Sequence, residues 1–180
     1  MKKIIIIILF FFTNSLYANE REQQLNQLFI KLKYKNFSIT SQTEQKIWDI
    51  WSTHPTDQNL TKVLKKGSKL VREQQLIEAV KIFSKVIDLD PNWAEAWNKR
   101  ATVFYLLGKY KDSQKDIDKV LELEERHFGA LAGQGLVNIE LKNYEKAIKS
   151  YQRALEIYPN MQSPYIMIRE IEALIKEDLI

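Results

Sequence analysis

The chain has 180 residues, enough for one modest domain and too few for two large ones. It carries 27 Lys and Arg against 23 Asp and Glu, a net charge of +4 that is too slight and too evenly interspersed to mark a nucleic-acid binder. Cysteine is absent, which excludes thiol chemistry, disulfides and a lipidated N-terminal cysteine.

Residues 1–18 read as an export signal. Lys2 and Lys3 precede an apolar run from Ile4 to Phe12, and a short polar stretch ends in Leu16-Tyr17-Ala18, so cleavage is expected after Ala18. Leu16 fits the small-residue site poorly. The apolar run falls well below the roughly 20 residues that span hydrocarbon. An uncleaved anchor and a buried core helix are the competing readings. Cleavage removes two lysines and no acid, leaving +2. The expected location is the periplasm, with secretion or N-terminal anchoring as alternatives.

Residues 19–57 are predicted to form a helical hairpin. Leu25, Leu28, Phe29 and Leu32 share one face of Glu20–Lys35, while Ile47, Trp48, Ile50 and Trp51 lie in Glu44–Ser52. His54-Pro55-Thr56-Asp57 breaks the pattern. Trp48 and Trp51 have two readings: packing under the first repeat, or a surface for self-association or docking at the cell envelope.

From residue 58 to 161 the sequence repeats with a period of 34, in units 60–93, 94–127 and 128–161. Leu89-Asp90-Pro91-Asn92, Leu123-Glu124-Glu125-Arg126 and Ile157-Tyr158-Pro159-Asn160 close the units. Within unit 94–127, Trp97, Ala101, Phe104 and Leu107 form one helical face, Gly108-Lys109-Tyr110 a turn, and Ser113, Ile117, Val120 and Leu121 a second face. Small residues recur in columns: Gly67, Ala101 and Gly135; then Ala79, Ser113 and Ala147; then Val86, Val120 and Ala154. Such columns let two helices approach closely. Glu125 stands where the other units have Pro91 and Pro159, predicting a less sharp turn, and Asn138 in place of Leu70 and Phe104 predicts a looser last hairpin. Residues 162–180 read as a capping helix with Ser163 as N-cap, Pro164 in the first turn, and Ile168, Ile171, Leu174 and Ile175 toward the stack.

At these residues the chain resembles the tetratricopeptide repeat (TPR) family, most clearly at Ala94-Glu-Ala-Trp97, Leu107-Gly108-Lys-Tyr110 and Tyr144-Glu-Lys-Ala147…Tyr151-Gln-Arg-Ala154-Leu155…Pro159. Segments 97–102 and 126–131 also resemble small exported bacterial members. The resemblance implies an all-α fold: a short right-handed α-solenoid of about three helical hairpins, flanked by the N-terminal hairpin and the C-terminal helix. It also implies a protein-binding role on a concave surface lined by the first helix of each hairpin. Carried onto this sequence, that surface holds Thr61, Leu64, Ser68, Val71 and Arg72; Glu95, Asn98, Thr102, Tyr105 and Leu106; and Gly129, Ala132, Leu136, Ile139 and Glu140. The expected partner residues are Asn98, Thr102, Tyr105, Leu106, Leu136, Ile139 and Arg72. Whether the groove is open or filled by the chain's own terminal helices stays undecided. The family's carboxylate clamp is almost wholly missing, because Leu64, Ser68, Lys99, Gly129 and Gly133 occupy its positions.

Lys66, Arg100 and Gln134 form a polar column where the family usually has leucine. Arg100 is a candidate donor to an acidic group of a partner, against the alternative of an internal ion pair. No catalytic residue, cofactor or metal is expected: the two histidines, His54 and His127, lack metal-ligand spacing, and the glycines at 129, 133 and 135 follow no strand. Asp116, Asp118, Glu124 and Glu125 read as solvated acids. The expected partner is a protein or peptide, with no nucleic acid and no metal.

Overall fold

A computed structural model of the chain describes residues 20–177. The export signal falls outside them. The described residues are helical with no strand: α1 (helical over residues 20–32), α2 (Phe37–Trp51), α3 (Gln58–Arg72), α4 (Leu76–Leu89), α5 (Ala94–Leu106), α6 (Tyr110–Leu123), α7 (Phe128–Glu140), α8 (Tyr144–Ile157) and α9 (Gln162–Glu177). Helices α3–α4, α5–α6 and α7–α8 are the three repeat hairpins, stacked in chain order, and α9 packs on α8.

The small-residue columns set the hairpin geometry, and each is matched to the residue opposite. A Cβ on Gly67 would lie 2.5 Å from the Phe83 ring, and one on Gly135 would lie 2.5 Å from the Tyr151 ring. The middle hairpin has Ala101 in that column and the smaller Ile117 opposite, and Ser113 Oγ donates to the Ala101 carbonyl at 2.8 Å. Volume lost on one helix is returned on the other, as close packing demands. Phe83, Val86, Val120, Ala147 and Ala154 are fully buried.

Each hairpin turns through one left-handed residue at the same register: Gln74 (φ 59°), Gly108 (φ 69°) and Lys142 (φ 58°). The following N–H returns to the helix, from Gln75 to Leu70, Lys109 to Phe104 and Asn143 to Asn138, at 2.7–2.9 Å. Only the middle unit uses glycine there, so Gln74 and Lys142 hold a conformation that costs L-residues roughly 1–2 kcal/mol.

Several expectations are corrected. The Glu125 turn is as sharp as the proline turns: Glu124 (φ −147°, ψ 93°) matches Asp90 (φ −141°, ψ 93°). Carboxylate-capped turns hold both, with Arg126 N donating to Glu124 and Asn92 N donating to Asp90. Asn138 does not loosen its hairpin, because it is buried and donates to the Gln134 carbonyl at 2.8 Å. Helix α2 begins at Phe37 rather than near Glu44, capped by Asn36 accepting from Ile39 N at 3.1 Å. Helix α9 begins at Gln162, so Ser163 lies inside it, and Leu174 is exposed while Met167 packs with Ile168, Ile171 and Ile175.

The glycine columns yield a direct test. Gly67→Ala and Gly135→Ala should each lower stability by about 1–3 kcal/mol through overpacking. Gly133→Ala, whose Cβ meets nothing nearer than 3.7 Å, should be neutral or gain up to about 1 kcal/mol. Denaturant unfolding of the three variants measures the contrast.

Candidate functional site

The concave surface is shaped by where the N-terminal hairpin docks. Trp48 and Trp51 do not pack under the first repeat. Helix α2 crosses the junctions between hairpins in reverse order of the repeats. Near its start, Asn160 donates to the Tyr34 carbonyl (2.7 Å), and Tyr158 OH donates to Glu44 (3.1 Å). Next, Trp48 and Trp51 pack on His127 and Phe128. Last, Trp93 Nε1 donates to the Trp51 carbonyl (2.8 Å), and His54 Nε2 meets Asp90 at 2.7 Å. Arg126 ties α1 to the middle junction through Glu22, Asn26 and the Phe29 ring. Positions 93, 127 and 161 are one register of the repeat, and all three side chains contact this hairpin.

At the centre lies Glu95, 1% exposed. It accepts from Asn98 Nδ2 (2.9 Å), Lys99 Nζ (2.9 Å) and His127 Nε2 (3.2 Å), with Ser52 Oγ at 3.5 Å. Burial opposes its charge, but the His127 hydrogen bond and the Lys99 ammonium outweigh burial and hold its pKa below the usual value. His127 Nδ1 accepts from Ala130 N at 3.0 Å, which leaves Nε2 as the nitrogen that donates to Glu95. Trp51 stacks on that ring at 4.0 Å, nearly parallel. His54 is built alike, with Nδ1 accepting from Asp57 N (2.8 Å) and Nε2 facing a carboxylate.

This arrangement divides the expected groove. Thr61 is buried, its hydroxyl accepting from His54 N, and Leu64 is 1% exposed. Trp48 lies over Gly129, where a Cβ would meet its ring at 2.5 Å. The half of the concave face near the starts of α5 and α7 is therefore filled by the chain's own hairpin. Toward the ends of these helices it is open: Leu106 is 51% and Leu136 36% exposed, with Thr102 and Tyr105 beside them. Thr102, Tyr105, Gly133 and Leu136 line a pit of about 70 Å³ with Ala101 and Ile117. Arg72 is exposed in the last turn of α3 and forms no ion pair among the described residues.

Three expected partner residues are otherwise employed. Asn98 is buried and its amide serves Glu95. Ile139 packs in the cluster beneath α9 with Tyr151 and Ile171. Arg100 grips Asp116 through two hydrogen bonds (2.7 and 2.8 Å) and donates to Ser84 Oγ (2.9 Å). Asp116 is thus buried and paired, and Glu124 holds Arg126; neither is a solvated acid. One repeat later the same register pairs Ser150 Oγ with Gln134 at 3.1 Å, while Lys66, facing Ile82 in that register, stays exposed. A wider, open cleft of about 520 Å³ on another face is lined by Gln114, Gln134, Leu141, Lys146, Lys149 and Arg153.

Arg100→Met should cost about 3–5 kcal/mol by stranding Asp116, and the double variant Arg100→Met with Asp116→Leu should recover most of it in thermal or denaturant melts. Glu95 supplies a pH test. Its pKa is depressed by folding, so its contribution is present above the ordinary value of 4.5 and is lost as pH falls through the folded value. Glu95→Gln should therefore destabilise at neutral pH, and the gap to the native chain should narrow in melts below pH 4.5.

The tetratricopeptide repeat family matches at residues 94–127 and 129–161. A TPR repeat-containing protein of Rhizobium etli is 33% identical over 147 residues, covering 79% of this chain and 70% of that protein. The Hsp70-Hsp90 organizing protein of Triticum aestivum is 32% identical over 97 residues, covering 54% of this chain and only 17% of that protein. Among solved structures, the first TPR of Spaghetti (RPAP3) bound to the HSP90 peptide SRMEEVD has a TM-score of 0.64 at 25% identity, covering 66% of this chain and 94% of that one. The stacked hairpins, the matched repeats and the Rhizobium etli relative agree: the chain belongs to the tetratricopeptide repeat family.

Proposed function

We propose that the chain is a protein-interaction module that holds a segment of a partner along the open half of its concave face. The observation that carries this reading is the pit between α5 and α7, lined by half-buried Tyr105 and exposed Leu136, with exposed Leu106 next to Tyr105 in the chain, beside a face otherwise covered by the chain's own hairpin. A pit of that size takes one aliphatic side chain, and the Thr102 and Tyr105 hydroxyls offer hydrogen bonds for register. Solved neighbours in complex with HSP90 and HSP70 peptides support peptide binding as the mode. Their acidic tails are not the ligand favoured here. Lys99 is committed to Glu95 at 2.9 Å, and Leu64, Ser68, Gly129 and Gly133 carry no charge. Binding without catalysis fits the two histidines, each fixed between a backbone N–H and a carboxylate. Among the described residues no group of His, Asp and Glu is placed to hold a metal, and no helix is long and apolar enough to cross a membrane.

We also infer that the module works outside the cytoplasm, from Lys2-Lys3, the apolar run and Ala18. Recovery of the native chain in the cytoplasmic fraction would contradict that inference; recovery outside the cytoplasm supports it, with a first residue of Asn19 for a cleaved signal and Met1 for an anchor.

The groove is tested by selecting peptides from a random displayed library and measuring their affinity for two variants. Gly133→Val fills the pit and Leu136→Glu charges its rim. Each should weaken binding by about tenfold to a hundredfold, the worth of one buried aliphatic anchor. Selected peptides that share an apolar residue and lose affinity support the reading. Peptides that bind both variants as tightly as the native chain overturn it.

A further inference from the structure

We propose that the tip of the N-terminal hairpin, residues 30–39, docks on an anionic phospholipid surface. Among the described residues, four of the eleven exposed large apolar side chains fall within these ten positions: Ile30 (54%), Tyr34 (48%), Phe37 (64%) and Ile39 (41%). Lys31, Lys33 and Lys35 alternate with them, and all three are exposed. No Asp or Glu occurs between Glu22 and Glu44. Both flanking acids are engaged elsewhere, Glu22 with Arg126 and Glu44 with Tyr158 and Trp48.

The contrast with the repeats is informative. Exposed Lys69, Lys81 and Lys115 and half-buried Lys119 each meet an acid three or four residues away in the chain. The three tip lysines form no ion pair among the described residues. The basic stretch Lys62, Lys65, Lys66 on α3 is also exposed, but no exposed large apolar side chain stands among its residues. Among the described residues the tip joins three lysines without an ion pair to four protruding aromatic and aliphatic groups with no acid between them, the combination that seats a segment at the headgroup level of an anionic bilayer. The tip is also held in shape. Asn160 donates to the Tyr34 carbonyl and to Thr40 Oγ1, and Asn36 caps α2 immediately before Phe37. Docking then requires little ordering of the protein.

The surface is separate from the groove, so the two readings stand or fall independently. The test uses the full chain with vesicles of phosphatidylcholine alone and vesicles containing about 30% phosphatidylglycerol, with bound fraction read by sedimentation. Residues 1–18 hold an apolar run and Lys2-Lys3, present alike in every variant, so the readout is the change between variants in the ratio of binding to the two vesicles. That ratio should fall by about tenfold or more in Lys31→Gln/Lys33→Gln/Lys35→Gln, and should fall in the native chain as salt rises. Phe37→Ser should weaken anionic binding without changing the melt, since the side chain is 64% exposed. Lys62→Gln/Lys65→Gln/Lys66→Gln, equal in charge, and Leu136→Glu, in the groove, should leave the ratio unchanged. Equal losses in the two triple-lysine variants, or no preference of the native chain for anionic vesicles, overturn the proposal. The latter is the outcome for a tip that covers a protein instead.

Discussion

The stack of Trp51 on His127, with the Glu95 carboxylate held beneath by that same imidazole, decides what kind of surface this protein presents. A buried carboxylate is tolerated only when its lone pairs are filled and its charge is balanced. Asn98, Lys99 and His127 meet that need, and their polar groups are thereby committed to Glu95, with Asn98 also bordering the pit. The tryptophan ring covers the imidazole, Trp48 covers Gly129, and the lower half of the concave face closes. The open half is what this constraint leaves behind.

The same docking changes the mechanics of the stack. Hairpins in a solenoid ordinarily touch only their neighbours, so stability is a sum of local terms. Here Asp90, Glu124 and Tyr158, one from each junction, are all tied into the region of the N-terminal hairpin, through His54, Arg126 and Glu44. The hairpin is a strut that links the first unit to the third, and the three repeats are held as one body. The residues that hold it differ chemically at every junction: an aspartate–histidine contact, an arginine network and a tyrosine–glutamate hydrogen bond. A register built from unlike groups specifies one docking position, because sliding α2 by a repeat would match none of them.

Much of the fold was legible in the sequence because it repeats. The 34-residue period, the three hairpins and the close approach at Gly67 and Gly135 all follow from residues whose size or periodicity carries the physics. The docking of α2 was not legible, for the opposite reason: Trp93, His127 and Met161 share a register and no chemistry. Arg100 could be foreseen as an internal pair, since a carboxylate one helix away was available, whereas Asp116 looked like a solvated acid until its neighbour was known. Of the expected partner residues, Thr102, Tyr105, Leu106, Leu136 and Arg72 remain on the open face. Asn98 borders the pit while its amide serves the Glu95 carboxylate, and Ile139 is half-buried in the cluster beneath α9, both long-range consequences that a single repeat does not encode.

A fixed strut gives the molecule two separated faces, an apolar pit between α5 and α7 and a basic, aromatic tip at the far end of the hairpin. Both depend on α2 lying across the junctions in one position. The most direct measurement is the distance between spin labels on cysteines introduced at exposed Gln42 and Gln152, in a chain that has no native cysteine. A hairpin docked on the junctions predicts a single narrow distance distribution that is unchanged by added peptide or vesicles. A broad distribution, or two populations, would show that the hairpin leaves the concave face and would contradict the fixed division of the groove.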